Sequence, residues 1–520
     1  METWFLILLT VSISLLLKAF VNLFSSSKKL PHTLPPGPFT FPIIGNILWL
    51  RKSFLQIEQI IRNLHLKVGP MVTLHLGPRP SIFIFDRSLA HQALIQNGSL
   101  FSNRPKALPT TKIMNSNQHT ISSASYGPTW RILRRNLTSE IFHPSRVKSY
   151  SHARKWVLEI LFDSLESNAK SGESVQVLAQ FRYAMFCLLV LMCFGDKLSQ
   201  DQIKEIEAVQ QRVMLSFGRF NILNFWPRVT KVLLRKQWKQ FFRLCKDRED
   251  ALIPLIRARK KAKDERLSKK ESDDYVLAYV DTLLDLELPE EKRKLDEGEI
   301  VSLASEFLNT GTDTTSTALQ WVMANLVKHP YIQDKLLLEI KGVVGDGEEE
   351  IKEDDLQKMP YLKAVILEGL RRHPPTHFVV PHCVTEDTVL GGFLVPKKGS
   401  INFMVADMGW DPKVWEDPMA FKPERFLRSD DSSGQVFDLT GSREIKMMPF
   451  GVGRRICPGL GLALLHLEYF VANLVWKFEW KAMDGDEISL EEKLEFTVVM
   501  RTPLKAQISP RKRQGLDVLL

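Results

Sequence analysis

Cysteine is scarce in this chain: Cys187, Cys193, Cys245, Cys383 and Cys457 are all that 520 residues hold. Their number is odd and their spacing sparse, which excludes a disulfide framework and a zinc cluster. Cys187, Cys193 and Cys245 read as reduced packing residues, so a reducing compartment fits best. No internal repeat is present, which excludes the repeat architectures. No nucleic-acid motif accompanies the net charge of +10. That balance is therefore assigned to an anionic membrane surface or an acidic protein partner, with no nucleic acid. What the chain does have is apolar material, 44% of its residues, enough for a large core.

The longest apolar stretch comes first, Trp4 to Phe24. A bilayer-spanning helix needs roughly 20 apolar residues, and Lys18, near one end, can snorkel to the interface. A cleaved signal peptide is the rival reading, but the residues before the run carry Glu2 and no Lys or Arg. Lys28 and Lys29 follow it, which places the body of the protein in the cytoplasm. Leu34-Pro35-Pro36-Gly37-Pro38 then reads as a stiff, extended link. The expected organisation is an N-terminal membrane anchor over 1–27, a basic, proline-rich hinge over 28–45 and one catalytic domain over 46–520.

Met71–His75 and Ser81–Phe85 alternate as a β-hairpin would. Helical patterns dominate from Arg87, broken by residues 103–126, which read as a long loop. The basic run 257–271 and the acidic run 346–355 read as solvated faces or loops.

Leu295 to His329 contains no proline and stops at Pro330, so it reads as one helix, roughly 50 Å long. Its middle, Asn309-Thr310-Gly311-Thr312-Asp313-Thr314-Thr315, is a poor helix centre. Threonine hydroxyls there can bond back to carbonyls and open the ladder. A carboxylate and a hydroxyl at such a break, Asp313 and Thr314, suit proton movement into a buried site; a polar turn splitting two helices is the plainer alternative. Trp130 and Arg134, four apart, share a helix face. Glu368 and Arg371 do the same, and buried they need further hydrogen bonds, for which Arg425 is a candidate.

The chain is organised around residues 447–462, Met447-Met-Pro-Phe-Gly-Val-Gly-Arg-Arg-Ile-Cys457-Pro-Gly-Leu-Gly-Leu462. Cys457 stands in a glycine-rich loop ahead of the apolar run Leu460 to Trp476, a buried helix. The positive end of its dipole favours the thiolate. Gly451, Gly453, Gly459 and Gly461 clear space for a flat ligand, and Arg455 can pair with a carboxylate on it. Such a set suits an iron porphyrin; a structural cysteine at a helix start is the alternative. Cys383 lacks a glycine loop.

Phe450, Gly453, Arg455, Cys457 and Gly459 resemble, in full, the haem signature of the cytochrome P450 superfamily. Gly311, Asp313 and Thr314 resemble its oxygen-activation motif, from which Thr310 departs, since Ala or Gly is usual there. Trp130/Arg134, Glu368/Arg371 and Phe421-Lys-Pro-Glu-Arg-Phe426 resemble its other elements in order, and the whole chain is similar to plant A-type microsomal members, subfamily eighty-nine A.

The resemblance implies a mainly α fold with a smaller β-rich lobe and haem b as cofactor, with Cys457 as axial thiolate and metal ligand. It implies that Trp130, Arg134, Arg455, Phe450, Gly451 and His382 bind the cofactor and that Asp313 and Thr314 are catalytic. Glu368, Arg371 and Arg425 would be scaffold, and Phe378, Val379, Val380 and Phe496 would line the pocket. The implied activity is insertion of one oxygen atom from O2 into a small, hydrophobic organic substrate. Electrons would come from NADPH through a reductase docked on Arg131, Arg135, Arg443, Lys446 and Arg454. The place is the endoplasmic-reticulum membrane, with a single-pass anchor and a cytosolic catalytic domain. A hydroperoxide isomerase or lyase on the same scaffold needs neither reductase nor Asp313 and Thr314, and a haem sensor needs no turnover.

Overall fold

Apolar residues at every second position, Val72 and Leu74, then Phe83 and Phe85, turn one sheet face inward. The strands Met71–His75 and Pro80–Ile84, the second followed directly by Phe85, pair antiparallel with Met71 opposite Ile84, and Ser400–Phe403 joins in parallel with Ser81 opposite Ser400. This hairpin lies one residue from the sequence expectation. The computed structural model describes residues 10–17, 33–38, 54–75, 79–171, 174–216, 218–269, 276–345, 348–427, 437–483 and 485–511.

Two compact units are present. The smaller comprises residues up to Pro105, Phe378–Met404 and Gly441–Ile445. In it, α1 (Phe54–Val68) lays Ile57 and Ile61 on the sheet face, with Met404 completing the core. Of the anchor 1–27, residues 10–17 are described and form an exposed helical segment; the remainder lies outside the described residues. Of the hinge 28–45, only 33–38 are described, without regular secondary structure, and the Pro36 carbonyl accepts from Thr73 N–H at 2.9 Å.

The larger unit is mainly helical. Its helices include α2 (Pro128–Asn136), α3 (Val177–Phe194), α4 (Glu297–Lys328), α5 (Pro360–Arg372) and α6 (Leu460–Lys477). Helix α4 is one unbroken helix of 32 residues, opened by a capping box in which Asp296 accepts from Glu299 N–H and Glu299 from Asp296 N–H, each at 2.8 Å. It packs closely on α3, where a Cβ at Gly311 would stand 2.6 Å from Leu189 Cδ1. Helix α3 is apolar and long enough to cross a membrane, yet it is buried in this core. A short hairpin, Glu492–Leu494 with Val498–Met500, rests on α4, where Trp321 Nε1 donates to the Val498 carbonyl at 2.7 Å.

Two sequence expectations fail here. The loop 103–126 contains a helix, Pro109–Met114, because Pro109 at its first position presets φ. The basic run 257–271 is not wholly solvated. Arg259 is buried and donates through Nε and Nη2 to both oxygens of Asp281 at 2.7 Å, the fork geometry that makes burial of a guanidinium tolerable.

Candidate functional site

The loop before α6 is shaped by glycine. Gly451 and Gly453 have φ of 66° and 72°, the left-handed region that other residues enter only with strain. This curl brings Cys457 N–H to the Phe450 carbonyl at 2.9 Å, so the loop closes on itself and fixes where Sγ points. Phe450 packs between two apolar clusters. Desolvation pushes the Cys457 thiol above its ordinary value, while the Gly459 N–H and the charge of Arg134 act the other way. Metal coordination deprotonates a thiol outright.

Three cofactor candidates from distant parts of the sequence converge beside Cys457. The Arg455 guanidinium lies 4.4 Å from the centre of the Trp130 ring and donates to the carbonyls of Ala124 (2.7 Å) and Ile121 (3.3 Å). Trp130 is buried, and its Nε1–H has no acceptor among the described residues. Arg134, one turn on, is half-buried, and its guanidinium makes no hydrogen bond or ion pair with a described residue. Burial lowers its pKa, and the neighbouring Cys457 sulfur opposes that shift. A buried indole donor and an unpaired guanidinium, placed together beside a thiol, are a donor set that fits a carboxylate-bearing iron porphyrin.

Sequence reasoning missed the group that secures this corner. Glu306 on α4 accepts from the N–H of Ile121 and of Ser122, each at 2.8 Å. It thereby pins the segment whose carbonyls hold Arg455. No spacing in the sequence links Glu306 to residues so far upstream.

The structure does not bring Asp313 and Thr314 together. Successive helix positions point about 100° apart. Asp313 is buried and turned to α3, where Arg182 Nη2 donates to Oδ1 at 2.8 Å, while the Thr497 hydroxyl donates to Oδ2 at 2.8 Å. Thr314 is half-buried and donates to the Thr310 carbonyl at 2.6 Å, as Thr310 does to Glu306 at 2.7 Å. The back-bonding is as expected, but the helix stays unbroken. A carbonyl has two lone pairs and can serve the hydroxyl as well as the ladder.

The expected charge network is present. Glu368 accepts from Arg371 Nε (2.7 Å) and Nη2 (2.8 Å), from Arg425 Nε (3.2 Å) and from Lys422 N–H (2.8 Å), and neither side chain of the Glu368–Arg371 pair is exposed. His382 and Phe378 belong to the smaller unit. There His382 Nδ1 lies 2.8 Å from the Phe101 carbonyl, and Phe378 packs edge-on against Phe83. Arg104, also missed, donates there to the carbonyls of Val380 (2.6 Å) and Pro381 (3.0 Å).

The family model described as Cytochrome P450 matches residues 35–510. The chain is 54% identical to Cytochrome P450 89A9 of Arabidopsis thaliana over 98% of this chain and 99% of that protein. It is 32% identical to geraniol 8-hydroxylase of Catharanthus roseus, over 96% and 98%. A zebra fish cytochrome P450 solved with progesterone superposes with a TM-score of 0.73 at 22% identity, covering 88% of this chain and 99% of the other, a likeness of fold.

Proposed function

Because this chain belongs to the cytochrome P450 family of haem-thiolate monooxygenases, we propose that it oxygenates a small, hydrophobic organic molecule with O2 and NADPH-derived electrons, passed to it by a flavoprotein reductase. The observation that carries the site assignment is the convergence of Cys457, Trp130, Arg134 and Arg455, with the Trp130 indole donor and the Arg134 guanidinium left without partners among the described residues. Cys457 would hold the iron. Trp130 Nε1, Arg134 and Arg455 would hold the propionates, and Phe450 and Gly451 shape the loop. Bound there, the haem supplies the oxygen-activating chemistry.

The protein supplies orientation and protons. Thr314, half-buried on α4, would offer its hydroxyl to the oxygen bound there, and Asp313, held by Arg182, would relay protons. Glu368, Arg371 and Arg425 keep α5 fixed and take no part in chemistry.

Residues 1–27 anchor the protein in the endoplasmic-reticulum membrane, 28–45 form the hinge and 46–520 form the cytosolic catalytic domain. The apolar segment 4–24 supports this, as does the turn into Pro227–Leu233, where Trp226 and Leu233 are each 74% exposed and Val232 69%. Arg228, Lys231 and Arg235 stand beside them, a composition suited to an anionic membrane surface. For the reductase, Arg131 and Arg454 flank Tyr126, at 5.2 and 5.5 Å from its ring centre, and Arg454 donates to its hydroxyl. With exposed Arg135 they form a basic surface for an acidic partner.

The test is product formation by the full chain with purified plant reductase, using a plant lipid and pigment extract as substrate source. Oxygenated product that requires NADPH, O2 and reductase together is the expected result. Rearranged hydroperoxide formed without them would overturn the reading.

A further inference from the structure

Asp313 is gripped from two sides, and only Arg182 has a charge to offer. The second partner, Thr497, lies in the turn between Glu492–Leu494 and Val498–Met500 and is fully buried. That turn is a fixed point. Val498 N–H donates to the Pro375 carbonyl at 2.8 Å, and its own carbonyl accepts from Trp321 Nε1 at 2.7 Å. The Trp321 ring lies flat on His373 with centres 3.9 Å apart. On the opposite strand Glu492 stands 3.3 Å from both His373 Nδ1 and His377 Nε2.

A carboxyl group turns easily about its last torsion, which is broad and roughly two-fold. One ion pair on Oδ1 leaves that torsion free; a second bond on Oδ2 sets the plane. Thr497 does not act alone, since Thr317 Oγ1, fully buried on α4, lies 2.9 Å from Thr497 Oγ1.

A hydroxyl has one proton and two lone pairs, so this chain can run in two directions. With Asp313 ionised, Thr317 donates to Thr497 and Thr497 donates to Oδ2. With a proton on Oδ2, Thr497 accepts it as a hydrogen bond and turns its own proton to Thr317. Thr317 then donates to a carbonyl of its helix, as helical threonines do. No buried hydroxyl is orphaned in either arrangement, whereas a second fixed donor would suit the ionised form alone.

We propose that Thr497, backed by Thr317, is a positioning residue that fixes the plane of the Asp313 carboxyl and lets it exist both with and without its proton. Thr497 touches no reacting atom, and the proposal rests on the reading of Asp313 as a proton relay.

The test uses full-length, haem-loaded enzyme carrying Thr497→Val, Thr497→Ser, Thr317→Val or Asp313→Asn. The first readout is the infrared carboxyl bands of Asp313 in resting enzyme labelled with carbon-13 aspartate, assigned by their loss in Asp313→Asn. The second is product formed per NADPH consumed. Thr497→Val is expected to shift the bands and lower product per NADPH about tenfold, the worth of one hydrogen bond to a charged group, at unchanged haem content. Thr497→Ser keeps both readouts, and Thr317→Val moves them in the same direction by less. Unshifted bands in Thr497→Val, or a serine variant as impaired as the valine one, overturns the proposal. Shifted bands together with wild-type product per NADPH in Asp313→Asn upholds the positioning and removes the relay reading beneath it.

Discussion

Trp130→Phe separates a haem-binding role for the indole from a packing role. Phenylalanine keeps an aromatic face under Arg455, whose guanidinium stands 4.4 Å from the ring centre, and removes only the Nε1–H. That donor is buried with no acceptor among the described residues, and without haem such an arrangement costs about 1–3 kcal/mol. Deleting it relieves the haem-free chain. In the haem-bound enzyme the same donor meets a propionate, and a hydrogen bond to a charged group is worth about 1.5–3 kcal/mol. Both contributions act in one direction on the difference between the two forms. Haem affinity should therefore fall by about 60-fold or more, the two contributions together being at least about 2.5 kcal/mol and each factor of ten about 1.4 kcal/mol, with no loss of stability in the haem-free chain. The assay is the rate of haem transfer to an excess of apomyoglobin, beside thermal melts of the haem-free chain. A variant that gains stability yet releases haem at the wild-type rate would refute the reasoning, because the indole would then face packing alone.

Three further outcomes follow from the geometry. Glu368→Gln leaves Arg371 buried without its counter-charge and should destabilise the haem-bound enzyme by about 3–5 kcal/mol, measured by thermal melting; an unchanged melt would contradict the network's scaffold role. His466 on α6 is buried, and desolvation lowers its pKa from 6.5 to about 3. The unfolded chain therefore binds a proton that the folded one refuses, so stability is full above pH 6.5 and is lost as pH falls toward 3. His466→Leu should flatten the stability profile across that window, and an unaltered slope would count against it. Asn97 is an exposed glycosylation sequon, and it should carry no glycan in protein made in a eukaryote if the globule is cytosolic; glycan there would reverse the topology. Asn136 is less telling, since its Nδ2 already donates to Thr282 Oγ1 at 2.8 Å within a helix.

The parts of the site legible in the sequence are those whose physics is local. Gly451 and Gly453 mark left-handed backbone, the four-residue spacing of Trp130 and Arg134 marks one helix face, and the apolar run after Cys457 marks a buried helix. The parts that escaped depend on tertiary pairing. Asp313 stands out as a carboxylate in a helix centre, but nothing local says that it faces Arg182, 131 residues earlier, and Thr497, 184 later. Arg259 sits in a run of charge that looks solvated, and only the fold supplies Asp281. The helix Pro109–Met114 was hidden by a Ser- and Thr-rich composition that favours turns when read alone. His382 fell in the smaller unit, where it meets the Phe101 carbonyl and lies T-shaped to the Phe403 ring.

The central claim is that Cys457 holds the haem iron as a thiolate. It is tested most directly by the absorption spectrum of the reduced, carbon-monoxide-bound enzyme for wild type, Cys457→Ala and Cys383→Ala. The thiolate-type band should be present in wild type and in Cys383→Ala and absent from Cys457→Ala; its persistence in Cys457→Ala would contradict the assignment of the ligand.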